Sequence, residues 1–323
     1  MSWLVTGGAG YIGAHVVRAL IEGGQSVVVY DDLSTGSRDR VPDGVPLVIG
    51  SVLDRAALDA ALRAHAITGV VHIAGKKQVG ESVEEPAYYY RENVTGLQTL
   101  LDALGDAGID RLVFSSSAAV YGMPDVTLVT EETPCKPLSP YGETKLVGEW
   151  LINASARAYG LRAASLRYFN VAGAASPELA DAGVFNLIPM VFERLEADEP
   201  PRIFGDDYAT ADGTCVRDYV HVQDIASAHL AAALRLADAE PGTSLTLNIG
   251  RGEGSSVREM VEHILKVTGR EELLPVVTAR RPGDPARVVA SADRIREELG
   301  WSARHGVDEM IASAWGGWRH RHP

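Results

Sequence analysis

Tyr141 and Lys145 stand four residues apart, one turn of a helix, and a serine run, Ser115-Ser116-Ser117, lies upstream after an apolar stretch. That set can move a proton. A free tyrosine titrates near 10, so a tyrosine that takes a proton near neutrality must be shifted down by about three pH units, or about 4 kcal/mol. An ammonium about 4–5 Å away, at an effective dielectric near 20, supplies about 3–4 kcal/mol, and desolvation opposes it. Lys145 has the type and spacing for this, and Ser117 can hydrogen-bond a reacting hydroxyl and share its proton. Tyr/Lys pairs at this spacing also occur on ordinary helices, so the pair gains meaning only beside a second motif.

The second motif is at the amino end, Thr6-Gly7-Gly8-Ala9-Gly10-Tyr11-Ile12-Gly13. It follows a β-rich run and opens a helical one. Gly7 permits a tight turn, Gly10 allows close approach of a pyrophosphate, Gly13 lets helix and strand pack closely, and the free amides of the helix start face the phosphates. The next β-rich run ends at Asp31, eighteen residues after Gly13. A carboxylate there accepts hydrogen bonds from the ribose hydroxyls and repels a 2′-phosphate, so NAD is expected over NADP. A dinucleotide site beside a proton-transfer group points to hydride chemistry on an alcohol, and the positive charge of an oxidised nicotinamide is expected to add to the ammonium in lowering the tyrosine.

The elements that must position these residues can be read from the punctuation. Short β-rich runs (3–5, 26–30, 47–49, 69–73, 111–114 and 163–168) alternate with helical stretches (13–22, 54–65, 88–106 and 140–159). This predicts an α/β fold with a doubly wound parallel sheet, covered on both faces by helices. Ser139-Pro140 supplies an N-cap and a first-turn proline, which starts the helix that carries Tyr141 and Lys145. Beyond Asn170 prolines and glycines break the rhythm, with later a strand at 244–249 and a capping box at Ser256-Val257-Arg258-Glu259. The expected division is a Rossmann-type NAD-binding domain over 1–170, receiving segments from about 215–237, and a smaller mixed α/β, mainly substrate-binding domain over 171–323.

The chain has 323 residues, enough for a substantial core, and a formal net charge of −13. That field repels nucleic acid and anionic lipid, so neither is an expected partner, and an anionic ligand must be held by local arginines and backbone amides. The two cysteines, Cys135 and Cys215, are expected to be reduced, which with no visible signal peptide or membrane span points to the cytoplasm. His72, His221 and His229 form no ligand-like cluster with the cysteines, so no metal site is expected.

Taken together, the motifs resemble the extended short-chain dehydrogenase/reductase superfamily and, within it, the UDP-glucose 4-epimerase family. The resemblance runs nearly end to end: TGGAGYIG, AGKKQVGESVEEP (74–86), SSSAAVYG (115–122), SPYGETK (139–145), RYFNVAGA (167–174), IFGDDYATADGTCVRDYVHVQDIA (203–226) and RRPGDP (280–285). It implies a tightly held NAD that is reduced and reoxidised within one turnover of a UDP-hexose, with Tyr141 as base and acid. It further implies a cofactor site built from Gly7, Gly10, Tyr11, Ile12 and Gly13, the turn Asp31, Asp32, Leu33, Ser34, Thr35 and Gly36, then Ser51, Val52, Ile73, Ala74, Gly75, Lys77, Asn93 and Phe169, together with Ser117, Tyr141 and Lys145. Asn170, Asn186, Leu187, Phe204, Arg217, Tyr219, Arg281, Asp284 and Val288 would join Lys77, Ser117 and Tyr141 around the nucleotide sugar. A homodimer through the helices around 88–106 and 140–159 is also implied.

Two departures from the family pattern bear on function. Gly50-Ser51-Val52 lacks the acidic residue common after the third strand, so the contact to the adenine amino group becomes neutral. Val288 is small where some relatives carry tyrosine beside the sugar's C2 substituent, which leads to the expectation that N-acetylated UDP-hexosamines also fit. A dehydratase of the same superfamily is disfavoured because Ala118-Ala119 stand where an acidic pair would protonate the leaving hydroxyl. A redox-sensing NAD-binding regulator would generally lack the tyrosine or the lysine, and both are present.

Overall fold

Trp3, Leu4 and Val5 are fully buried and alternate between two apolar faces, Trp3 and Val5 on one side and Leu4 on the other. Such a strand belongs inside a parallel sheet covered on both sides. In the computed structural model, which describes residues 1–281 and 283–322, the first part of the chain forms β1 (Ser2–Thr6), α1 (Tyr11–Glu22), β2 (Ser26–Asp31), β3 (Leu47–Ile49), α2 (Arg55–Ala64), β4 (Gly69–His72), α3 (Val79–Glu84), α4 (Pro86–Tyr89), α5 (Gly96–Ala107), β5 (Arg111–Ser117), α6 (Pro140–Tyr159), β6 (Arg162–Tyr168) and β7 (Asn170–Ala172). It continues with α7 (Leu187–Glu196), β8 (Arg202–Phe204), β9 (Val216–His221), α8 (Val222–Ala237), β10 (Ser244–Ile249), β11 (Gly254–Ser256), α9 (Val257–Thr268), β12 (Val276–Thr278), β13 (Arg287–Val288), α10 (Asp293–Leu299) and α11 (Val307–Arg321). Pro282, within the RRPGDP stretch, and Pro323 lie outside the described residues.

Seven strands form one parallel sheet in the order β10-β6-β5-β4-β1-β2-β3, the doubly wound α/β fold expected from the sequence. Strand order reverses between β1 and β4, and in such sheets ligands bind at that crevice, outside the carboxyl ends of the strands. Apolar residues of α1 and α8, among them Val16, Leu20, Ile225, Ala232 and Leu236, fill one face. Leu58, Leu97, Leu100 and Ile152 of α2, α5 and α6 fill the other. The chain thus returns to this sheet after leaving it, first with α8 and then with β10, which pairs with β6 residue for residue from Ser244 to Ile249.

A smaller assembly is built around β9, flanked by β11, β13 and β7, with β8 and β12 paired beside it. Its core packs Ile188, Phe192, Ile203, Tyr219, Met260, Ile264, Met310 and Trp318 between the strands and α7, α9 and α11. The capping box expected at Ser256 is formed, with Ser256 Oγ accepting from the Glu259 amide at 3.0 Å and the Glu259 carboxylate accepting from the Ser256 amide at 2.8 Å.

The stretch 88–106 differs from the single helix expected. It is divided into α4, a π-turn at Tyr90–Thr95 and α5, with helical dihedrals kept at both joins (Tyr89 φ −62°, ψ −42°; Thr95 φ −64°, ψ −37°). Gly96 stands at the second join, and the widened turn resets which side chains face inward. Asn93 is the one it buries. Among the described residues no helix is long and apolar enough to cross a membrane.

Candidate active site

The glycine loop leaves β1 and enters α1 at the crevice. Gly7 has φ +73°, and a Cβ there would sit 2.7 Å from the Ala74 amide nitrogen; one on Gly13 would sit 2.0 Å from the Gly7 carbonyl oxygen. Side chains are thus excluded from both positions, and Gly10, the N-cap, gives the first amides of α1 no side-chain partner. The result is a backbone cradle with free N–H groups, which fits the pyrophosphate of a dinucleotide. The end of β4 closes its far side, the Ile73 and Ala74 amides both donating to the Thr6 carbonyl at 3.1 and 3.0 Å.

Asp31, at the end of β2, is buried. Its carboxylate accepts from the Ala9 amide at 2.9 Å and the Leu33 amide at 2.8 Å, so it ties the glycine loop to the following turn. Burial pushes this carboxyl up from the ordinary range while the two amides oppose that rise. Each oxygen still has a lone-pair direction for a ribose hydroxyl. Asp32 accepts from the Ser34 amide at 2.9 Å, Leu33 takes φ 59°, and Gly36 lies so close to Asp31 that a Cβ would come within 2.9 Å of its carboxylate. Thr35 completes this turn. Ser51 accepts the Tyr30 hydroxyl on its carbonyl at 2.9 Å, and Val52 is buried beside it.

Beyond the end of β4, Asn93 cross-links two segments. Its carbonyl accepts from the Lys76 amide at 2.8 Å, and its Nδ2 donates to the Lys76 carbonyl and to Thr144 Oγ1, both at 3.0 Å. Gly75 abuts the same side chain. Lys77 points the other way, its Nζ 3.5 Å from Asp181 Oδ2 and 6.0 Å from the centre of the Tyr11 ring. Asp181 lies in a loop with no motif around it, so no sequence signal points to this pairing.

Tyr141, Lys145 and Ser117 converge where α6 crosses the ends of β5 and β6, all three buried. Ser139 Oγ caps the helix by accepting from the Gly142 amide at 3.2 Å. Lys145 Nζ donates to the Ser115 carbonyl at 2.9 Å and lies 5.9 Å from the Tyr141 ring centre. Within the protein alone, burial raises Tyr141 above the ordinary tyrosine value, and the Ser117 hydroxyl offsets part of that rise. Burial in turn lowers Lys145 to about 8. The histidines nearby have ordinary partners. His72 Nδ1 meets Thr6 Oγ1 at 2.7 Å, His229 Nε2 meets Ser115 Oγ at 2.9 Å, and His221 Nε2 meets Ser313 Oγ at 3.1 Å.

A cleft opens beside the glycine loop, and its lining includes Tyr11, Asn170, Asn186, Leu187 and Tyr219, with Asp181, Trp318 and Arg321. Four expected sugar-nucleotide residues are thus brought to the cofactor loop. Ser117, Tyr141 and Lys145 are outside this lining, but Ser117 pairs in register with Tyr168, two residues before Asn170. Phe204, Arg217, Arg281 and Asp284 gather in a second cluster, in which Arg217 Nη2 is 3.5 Å from Asp284 Oδ1 and the Arg281 guanidinium stacks 3.8 Å from the Phe204 ring centre. Arg217 is therefore no partner of its neighbour Asp218, which instead accepts from the Arg251, Gly252 and Ala290 amides. Val288 pairs with Arg217 across β13 and β9 and is buried in one apolar cluster with Phe169, Leu146 and Tyr121.

Residues 3–250 match the NAD dependent epimerase/dehydratase family, and the chain belongs to it. A UDP-glucose 4-epimerase of Azospirillum brasilense is 47% identical over 316 residues, covering 96% of this chain and 90% of that protein. A second, from Corynebacterium glutamicum, is 44% identical over 319 residues, 98% of this chain and 95% of its own. The crystal structure of UDP-glucose 4-epimerase from Stenotrophomonas maltophila, with bound NAD and formylated UDP-arabinopyranose, superposes with a TM-score of 0.95 at 39% identity, over 100% of this chain and 99% of that one.

Proposed function

We propose that the protein is an NAD-dependent enzyme that interconverts UDP-galactose and UDP-glucose by inverting C4 through a transient 4-keto sugar. The observation that carries this is the placement of Tyr141, Lys145 and Ser117 at the strand ends beside a glycine cradle that only backbone can line. Bound NAD supplies an acceptor for the C4 hydride and then its donor. Tyr141 takes the O4 proton as the C4–O4 double bond forms, Ser117 holds that oxygen, and Tyr141 returns the proton once the sugar has presented its other face. Burial raises the phenol, so Tyr141 needs positive charge to act as a base near neutrality: Lys145 supplies one, and an oxidised nicotinamide, when bound, would add to it.

Residues 1–170, with the returning segment from about 215–237, would hold NAD, and 171–323 mainly the UDP-sugar. Arg217 and Arg281 answer the diphosphate, Asn170, Asn186, Leu187, Phe204, Tyr219 and Asp284 the remainder, and Lys77 stands between the two ligands. Ala118 and Ala119 offer no acid for elimination, which favours epimerisation over dehydration. Val288 leaves room for an N-acetyl group, so UDP-GlcNAc and UDP-GalNAc are candidate substrates. Trp150 and Tyr159, exposed on α6, suit a homodimer formed through α5 and α6. The free thiols of Cys135 and Cys215 suit the cytoplasm.

Proton NMR of UDP-galactose with the purified protein and no added reductant tests the reaction. Conversion to a UDP-galactose/UDP-glucose mixture is expected. No conversion with NAD added would remove this reading for the substrate, and the same assay on UDP-GlcNAc decides the hexosamine question.

A further inference from the structure

The face of α6 that carries Tyr141 and Lys145 continues one turn further to Glu149, which is buried. Its carboxylate is fully engaged: Arg167 of β6 donates from Nε to Oε1 at 2.8 Å and from Nη2 to Oε2 at 2.5 Å, and Ser116 Oγ donates to Oε1 at 2.5 Å. Arg167 is anchored in turn, with Nη1 donating to the Tyr121 hydroxyl at 2.8 Å and that hydroxyl donating to Asn248 Oδ1 at 2.7 Å. A buried ion pair is weak evidence for stability, since apolar residues of like volume often serve as well. Its position needs another reason.

We propose that Glu149, restrained by Arg167, is a positioning residue for the Tyr141/Lys145 proton-transfer pair, an inference that rests on the role given to that pair above. Lys145 and Glu149 are four apart on one helix, the spacing of a direct lysine–glutamate pair. Such a pair would draw the ammonium away from the phenol. The two-pronged hold of Arg167 and the Ser116 hydroxyl occupies both carboxylate oxygens, so Lys145 stays on the Ser115 carbonyl and faces Tyr141. The carboxylate still acts through space, favouring the charged ammonium against the burial that lowers it to about 8. The other groups facing this pair are Tyr168 and Arg167 from β6, His72 from β4, and Tyr89 from α4. His72 is lowered to about 3 by burial and is neutral, and Tyr168 and Tyr89 are raised and neutral, so Glu149 supplies the carboxylate and Arg167 fixes its direction.

The test is the pH dependence of kcat of the NAD-loaded enzyme with UDP-galactose, alongside thermal melting. In Glu149→Gln the ammonium loses its support, so the alkaline fall in kcat is expected to move down by about one pH unit. Arg167→Met frees the carboxylate to capture Lys145, and kcat is expected to drop about tenfold or more across the range. The double variant Glu149→Gln/Arg167→Met removes both buried charges and should regain melting temperature while keeping the lowered alkaline limb; it also serves if a single variant fails to fold. An unshifted limb in Glu149→Gln, or a double variant that recovers the pH profile together with stability, overturns the proposal and leaves the pair purely structural. Lys145→Met is the control: if it leaves kcat intact, the Tyr141/Lys145 reading itself fails, whereas loss of kcat in Lys145→Met with an unshifted Glu149→Gln defeats only the role of Glu149.

Discussion

Ser117, Tyr141 and Lys145 are each at least nine-tenths buried and come from the seven-residue β5 and the twenty-residue α6. Phe204 and Arg217 come from strands of three and six residues, and Arg281 and Asp284 from the segment before β13. The first group is held by fixed backbone: the Ser139 cap, the Ser115 carbonyl and a sheet buried on both faces. The second group is held by its own members, Arg217 by Asp284 and Arg281 by Phe204. On the proposed roles, the catalytic wall is set before any ligand arrives, whereas the binding cluster would exchange an internal pairing for one with the ligand. Mutations in the two regions should therefore separate cleanly into effects on kcat and effects on KM.

The sharpest break would come at the wall. Tyr141→Phe is expected to lower kcat about 10³-fold with little change in melting temperature, measured by NMR of UDP-galactose conversion; a variant that keeps most of its rate would show that the wall does not carry the proton. Across the cleft, Arg217→Ala should raise KM about 10–100-fold and change kcat much less, because a charge-assisted contact to the diphosphate is lost in ground and transition state alike. A fall in kcat at constant KM would instead move Arg217 to the catalytic side of the comparison.

A third variant examines the wall's cofactor edge. Asp31→Asn weakens the ties to the Ala9 and Leu33 amides and the ribose contact together, so NAD affinity in a fluorescence titration should fall about tenfold while NADP loses less. Acid should act on the wall more gently. His72 and His229 are lowered by burial to about 3 and 4, and His221, where β9 meets α8, to about 4. The unfolded chain binds these protons below about 6.5 and the native chain does not, so stability is present above that pH and declines as pH falls towards 4. Melting temperature should drop by at least a few degrees between pH 6.5 and 5; a flat profile would mean that the histidines are not as enclosed as the packing implies.

The wall was also the more legible region from the sequence. Glycines forced by close backbone approach, a serine cap before proline and a period-four Tyr/Lys pair are local signals, and local signals survive in a single sequence. Even here two things were hidden. The π-turn at Tyr90–Thr95 is followed by Gly96, and a lone glycine in a helical stretch does not specify a change of helix type. The burial that raises Tyr141 and the Ser115 carbonyl that takes the Lys145 ammonium are set by tertiary packing, which spacing does not reveal. In the second region only the resemblance singled out Arg217, Arg281 and Asp284. Arg217 meets Asp284 across 67 residues of chain, and Asp218 serves three amides from two distant loops, pairings that no periodicity encodes.

The cap on α6 has a mechanical consequence. A helix is a screw with about 3.6 residues to the turn, so moving its origin by one position rotates every later side chain through about 100° and advances it about 1.5 Å. Ser139 and Pro140 act as the index mark of that screw: they fix the angle at which Tyr141, Lys145 and Glu149 leave the shaft. A residue removed between Ser139 and Tyr141 would put the cap one position out of step with the helix and turn the phenol away from Ser117.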